Sequence, residues 1–193
     1  VSSGTGTVTE DTSPTATGTL TATDPGNPAL AFVAGTQSGA YGSLTLNAAG
    51  AWTYTLGAAA QALAGDQVVT DTFTVSLTDG TTTTVTITAT GTDDAPVIGS
   101  AIVTFTEGGA TTASGTLTAT DVDGPALSFV ESEYEGNFSR VHVNADGTWT
   151  AEFFATAENL AAGVVREDVV GVALNGSDQE AAITIRWVGV DDA

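Results

Sequence analysis

The chain has no cysteine, no methionine and no lysine, a single histidine at position 142, and only three bases, Arg140, Arg166 and Arg186. Each absence removes a class of explanation. Without thiols, neither disulfides nor thiolate metal sites can hold the fold. With one imidazole, a zinc site lacks its usual ligands. Against 23 acids the three arginines leave a net charge of −20. Such a surface repels nucleic acid and anionic lipid, whose recognition needs basic contacts to phosphate, and leaves divalent cations or polycations as counterparts. No apolar run approaches the ~20 residues that span a bilayer, and Val1-Ser2-Ser3-Gly4 lacks a basic signal-peptide n-region, so direct membrane insertion is not expected. Enzymatic activity is not expected either, because a nucleophile needs a base and, with one histidine, no cysteine and no lysine, the usual pairs have few candidates.

What is present is repetition. Thr17-Gly18-Thr19-Leu20-Thr21-Ala22-Thr23-Asp24 returns as Ser114-Gly115-Thr116-Leu117-Thr118-Ala119-Thr120-Asp121, an offset of 121 − 24 = 97 residues. The same offset carries Asn47 onto Asn144, Gly50 onto Gly147, Trp52 onto Trp149 and Asp71 onto Asp168. It slips to 98 only where Gly91-Thr92-Asp93-Asp94-Ala95 becomes Gly189-Val190-Asp191-Asp192-Ala193, as a single inserted residue would cause. With 193 residues, 41% of them hydrophobic, the chain divides into modules 1–95 and 96–193, each long enough for its own core. Beginning and ending at nearly the same phase of the repeat, the chain is expected to be cut from a longer array.

Alternation of apolar and threonine positions, as in Phe73-Thr74-Val75-Ser76-Leu77, predicts strands with one buried face. The first module should have strands near 6–9, 17–23, 29–34, 42–47, 51–56, 69–78 and 82–91, repeated about 97 residues later. The expected fold is all-β: two tandem seven-stranded Greek-key sandwiches of the immunoglobulin-like kind, end to end across the short linker Asp93-Asp94-Ala95-Pro96-Val97. Ala58–Ala64 and its counterpart Ala155–Ala161 read as a helical turn or a crossover loop. Trp52 and Trp149 are expected to fill the cores.

The repeated acids fall at strand ends. Glu10 and Asp71 belong to the bottom of the first sandwich, Asp93 and Asp94 to the linker, and Asp121 and Asp123 to the top of the second, so that these six should converge at the junction. Asp24 and Asp79 mark the top of the first sandwich; Glu107, Asp168 and Asp191 mark the bottom of the second. Two carboxylates ~5 Å apart repel by about 3 kcal/mol at an effective dielectric near 20. With no lysine and no arginine in the first module, the fitting counter-charge is a hard divalent cation taking six to eight oxygens, and Ca²⁺ suits three flexible segments better than Mg²⁺.

Val8-Thr9-Glu10, Ala22-Thr23-Asp24, Phe73 through Gly80 and Asp93-Asp94-Ala95-Pro96 resemble a VCBS-type repeat, a bacterial relative of the cadherin domain. The Ala-Thr-Asp and Asp-Asp-Ala-Pro segments are similar to the calcium motifs of cadherins. The resemblance covers nearly the whole chain, most strongly the first module. It implies a cadherin-like, calcium-rigidified sandwich of long adhesins and biofilm proteins on the surface of Gram-negative bacteria, exported by type I secretion, monomeric and partnered by neighbouring repeats of its own array. The second module departs from the pattern at Gly176, which stands where the first has Asp79. It also holds all three arginines, the histidine and an acidic alternation at Glu131, Glu133 and Glu135. A calcium-dependent lectin for acidic exopolysaccharide is therefore the alternative, with Arg140, His142 and Tyr134 as contacts to a glycan carboxylate; decoration of an outer strand is the plainer expectation for them.

Overall fold

Threonine-rich alternation produces strands throughout the chain, whose computed structural model describes residues 1–27, 29–154 and 160–191. The chain splits into two compact units, residues 1–94 with 122–124 and residues 95–121 with 125–193. In the first unit the strands are β1 (Gly4–Thr9), β2 (Thr15–Thr19), β3 (Gly35–Ser38), β4 (Gly42–Leu46), β5 (Ala51–Leu56), β6 (Val68–Ser76) and β7 (Thr82–Thr90). They form one sheet in the order β1-β7-β6 and another in the order β2-β5-β4-β3. Between the sheets lies one core, with Val8, Phe73, Val85 and Ile87 from the first facing Leu44, Leu46, Trp52 and Tyr54 from the second. The first and last strands of the unit run parallel, Gly4 opposite Val85 through Thr9 opposite Thr90.

The second unit contains β8 (Val97–Ile98), β9 (Ala101–Thr106), β10 (Thr112–Thr116), β11 (Ala119–Thr120), β12 (Ser128–Phe129), β13 (Ser132–Glu135), β14 (Ser139–Val143), β15 (Thr148–Phe153), β16 (Val165–Asn175) and β17 (Glu180–Val188). Its sheets are β12-β16-β17-β9, β10-β15-β14-β13 and the pair β11-β8. A core of Phe105, Val141, Trp149, Phe153, Ile183 and Trp187 lies between the two larger sheets. Here too the last strand runs parallel to an early one, β17 to β9, with Ala101 opposite Ile183.

The two units share register. Thr36 faces Thr45 as Glu133 faces His142, and Ser43 faces Thr55 as Arg140 faces Glu152, each pair displaced by 97. Asp71 faces Ile87 while Asp168 faces Ile185, so the extra residue lies in the β16–β17 hairpin. Both tryptophans are buried, and each rests on a glycine: a Cβ on Gly18 would come within 2.4 Å of the Trp52 ring, and one on Gly115 within 2.7 Å of Trp149.

The expected third strand, 29–34, is a sheet-switching crossover instead. The Phe32 N–H donates to Ala48 beyond β4, and the Val33 N–H donates to Ser76 of β6, so successive residues serve different sheets; the regular strand starts at Gly35. The second strand stops at Thr19 rather than 23. Ala58–Ala62 forms a short 3₁₀ turn, whereas its expected counterpart at 155–159 lies outside the described residues, as do Pro28 and Asp192. Among the described residues no helix is long and apolar enough to cross a membrane.

Candidate functional site

Glu10 follows β1 directly and is 1% exposed, the most deeply buried acid among the described residues. Its place is fixed by backbone: its N–H donates to Thr90 O at the end of β7. The two carboxylate oxygens accept from different elements, Oε1 from Gln61 Nε2 of the 3₁₀ turn at 2.8 Å and Oε2 from the Thr92 N–H at 3.2 Å. Thr92 Oγ1 also donates to the Glu10 carbonyl. Burial pushes the Glu10 carboxyl above its ordinary pKa, the Thr92 bond opposes this, and the neighbouring charges of Asp11, Asp94 and Asp123 add to the rise. Asp94 and Asp123 meet directly, the Asp94 N–H donating to Asp123 Oδ1 at 3.3 Å. The first unit thus gathers Glu10, Asp94 and Asp123 into one negative region.

Asp71 has a different task. It is the fourth residue of β6 rather than its start, and 5% exposed. Its carboxylate accepts from the N–H groups of Ala40 and Tyr41 and from the Tyr54 hydroxyl, at 2.9, 3.1 and 2.8 Å. A Cβ on Gly39 would come within 2.4 Å of it. This carboxylate on one sheet therefore anchors the β3–β4 turn of the other. Tyr54 is driven to a strongly raised pKa by burial first and by the Asp71 bond second. Asp168 repeats the arrangement with the N–H groups of Asn137 and Phe138 and with the Ser139 hydroxyl. The register explains why both were drawn toward the strand end in the sequence: periodicity places a residue on a strand without saying which turn its side chain reaches.

The remaining acids sit in turns and surfaces. Asp24 Oδ1 accepts from the Gly26 N–H and Asp79 Oδ1 from the Thr81 N–H, each closing its own turn. Asp93 is exposed beside Gly65, and Asp191 is exposed. Glu107 accepts from the Val190 N–H as Glu10 does from Thr92, but is only half-buried. Asp121 is half-buried in the second unit. Gln61 and Thr92 are the site residues that the sequence hid; the only signal was their proximity to the alanine-rich segment and to Asp93-Asp94.

The charged groups around Glu10, namely Asp11, Asp94 and Asp123, offer only carboxylate oxygens, with negative charge in excess, which suits a hard cation. Among the described residues no group of three or more histidine, aspartate or glutamate side chains is placed closely enough to hold a metal ion. In the second unit, Glu133, Glu135, Arg140 and His142 point outward from β13 and β14, while Tyr134 packs on the core.

A family model described as a bacterial cadherin-like domain matches residues 1–91, just under half of the chain. No curated protein matches the chain. Among solved structures it is similar to protocadherin gamma C5 EC1-3, with 16% identity over 96% of this chain and 65% of that one, at a TM-score of 0.43. It is similar to mouse cadherin-23 EC22-24, with 16% identity over 100% of this chain and 65% of that one, at 0.44. An endo-fucoidan hydrolase of glycoside hydrolase family 107 aligns at 20% identity over 97% of this chain and 28% of that one, at 0.36. The chain spans less than two thirds of each of these structures. The family match supports a cadherin-like all-β fold for residues 1–91, and the shared register extends the same strand pairing to the second unit.

Proposed function

We propose that the chain is a non-catalytic extracellular module of a bacterial surface protein, a VCBS-type pair of repeats spanning 1–95 and 96–193, which binds Ca²⁺ and serves adhesion or spacing in a longer array. Its partners are neighbouring repeats, and biofilm is the setting in which a long surface rod of this kind acts. The observation that carries the reading is the Glu10 carboxylate, 1% exposed and raised in pKa by burial and by three nearby acids. A buried carboxylate in a negative region is costly without a counter-charge. The family match over 1–91 gives the reading its bacterial cadherin-like context.

Glu10, Asp94 and Asp123 would draw together on binding to hold the ion, with Asp93 and Asp121, their near neighbours in sequence, as further carboxylates. Bound Ca²⁺ supplies positive charge that cancels the repulsion among these oxygens and ties the chain segments bearing them. Gln61 and Thr92 hold Glu10 in place, each through one carboxylate oxygen that keeps a lone pair for the ion. Asp24, Asp79, Glu107 and Asp191 remain secondary candidates, since ligation there must compete with turn bonds or with solvent. Asp71 and Asp168 are weaker still, because their oxygens already serve the β3–β4 and β13–β14 turns.

Calorimetric titration with Ca²⁺ and, separately, Mg²⁺ tests this. Ca²⁺ should bind in the ~10⁻⁴ to 10⁻³ M range of extracellular modules, Mg²⁺ more weakly, and Asp123→Asn should lose most of the heat. No Ca²⁺ binding up to ~10 mM, well above that range, would remove the reading. An acidic exopolysaccharide as ligand gains nothing from the structure, and a net charge of −20 opposes it.

A further inference from the structure

The outer face of the sheet β10-β15-β14-β13 carries a trough of about 640 Å³ in the second unit. Arg140, Glu133 and Glu152 form its charged lining, with the His142 imidazole, hydroxyls from Thr112, Ser114 and Thr150, and Ala113 and Ala151. The first unit provides an internal control, because the strand register is the same. Where the second unit has Glu133, Arg140, His142 and Glu152, the first has Thr36, Ser43, Thr45 and Thr55. Threonine and serine suffice for that face of the fold. The charged set answers no need of strand pairing or core, since the inward residues of these strands do the packing.

The lining is held rather than loose. Arg140 Nε lies 3.1 Å from Glu133 and Nη2 lies 3.0 Å from Glu135, with its guanidinium 5.7 Å from the centroid of the Phe154 ring. His142 Nε2 bonds Asn144 Oδ1 at 3.0 Å; Asn144 Nδ2 donates to Thr148 Oγ1, and Thr148 Oγ1 donates to Asp146. Side chains fixed in this way lose little freedom on binding.

The charges select the ligand. The single cation, Arg140, is bridged by two carboxylates, with Glu152 directly opposite it on β15. An anion would meet three carboxylates against one guanidinium, and a cation would have to displace Arg140 from Glu133 and Glu135. What remains is a mixture of strong acceptors, a fixed guanidinium, an imidazole and hydroxyls, spread over strands spaced about 4.8 Å apart. That mixture suits a ligand offering many groups that both donate and accept, without charge. We propose that this face binds a neutral, hydroxyl-rich oligosaccharide, independently of the calcium reading above.

The test uses the whole chain and nuclear magnetic resonance titration with cellohexaose, laminarihexaose, maltohexaose and N-acetylchitohexaose, alongside an anionic hexaguluronate and a cationic glucosamine hexamer. The variant is E133T/R140S/H142T, which installs the residues the first unit carries at the same register and so keeps a face known to fold. Thermal denaturation of the variant checks this. At least one neutral sugar should shift the resonances of β10, β14 and β15, in EDTA as well as in Ca²⁺, and the variant should weaken binding about tenfold or more. The proposal is overturned if no neutral sugar binds, if only the hexaguluronate or only the glucosamine hexamer binds, or if the variant binds as tightly as the parent. Loss of binding in EDTA would likewise count against it, while leaving the calcium reading standing.

Discussion

The two units solve one packing problem with different residues and leave their differences on the outside. Under the anchored turn, the first unit packs Gly42 against the end of a large Tyr54, whose hydroxyl reaches Asp71; a Cβ on Gly42 would come within 2.5 Å of that hydroxyl. The second unit has Ala151 where Tyr54 stands and Ser139 where Gly42 stands, and the Ser139 hydroxyl takes over the bond to Asp168. A large residue with no neighbour side chain has been exchanged for a small one with a hydroxyl, and the buried carboxylate keeps three donors in both. On the outer face of the same sheet no such compensation operates: threonines in one unit stand against Glu133, Arg140, His142 and Glu152 in the other. Compensated change inside and uncompensated change outside is the pattern expected when the fold is retained and a surface acquires its own task.

The comparison can be broken first at the shared carboxylate. Asp71→Ala leaves two backbone N–H groups and a tyrosine hydroxyl without their acceptor and should cost about 3–5 kcal/mol in denaturant unfolding of the first unit. Asp168→Ala should do the same to the second; a cost below ~1 kcal/mol for either would show that the turn does not depend on it.

The compensated pair gives the next largest effect. Gly42→Ser alone should lose about 1–3 kcal/mol by overpacking against Tyr54. Adding Tyr54→Ala, which recreates the second unit's arrangement, should recover part of the loss, with a coupling of about 0.5–3 kcal/mol in a double-mutant cycle. Strict additivity would mean the two positions are unrelated.

Calcium should separate the units. At ~10 mM and a Kd near 1 mM, mass action stabilises the folded form by about 1.4 kcal/mol, a rise of several degrees in melting temperature. Asp123→Asn should abolish that rise and Asp191→Asn should not.

The smallest effect concerns protons. The folded-state pKa of Glu10 is raised, so between its unfolded and folded values the native state holds the proton more tightly, and stability falls as pH increases through that window. In calcium-free buffer, acidification through it should raise the melting temperature by ~1–3 °C, and Ca²⁺ at neutral pH should remove the dependence. Calorimetric scans across the window decide it.

Much of the strand pattern was legible because period-two alternation and a fixed repeat are written residue by residue. Phe73-Thr74-Val75 and Val85-Thr86-Ile87 fall inside β6 and β7 with the apolar members buried. Leu30 to Ala34 misled because apolar composition cannot distinguish a strand from a segment that crosses between sheets. The acids were legible as repeated positions but not as partners. Glu10 meets Gln61 across 51 residues, and Asp71 meets Ala40 across 31, distances that only the fold closes. Arg140 and His142 stood out in the sequence, yet their relation to Glu133 and Glu152 depends on register, which one misplaced strand would have shifted to the wrong face.

The parallel pairing of an early strand with the last one has a mechanical meaning. In each unit the chain enters along β1 or β9 and leaves along β7 or β17, which run side by side in the same direction over six paired positions. Pulling on the two ends slides these strands past each other, so the rungs between them bear load together instead of peeling one at a time. A module wired in this way resists tension at its seam.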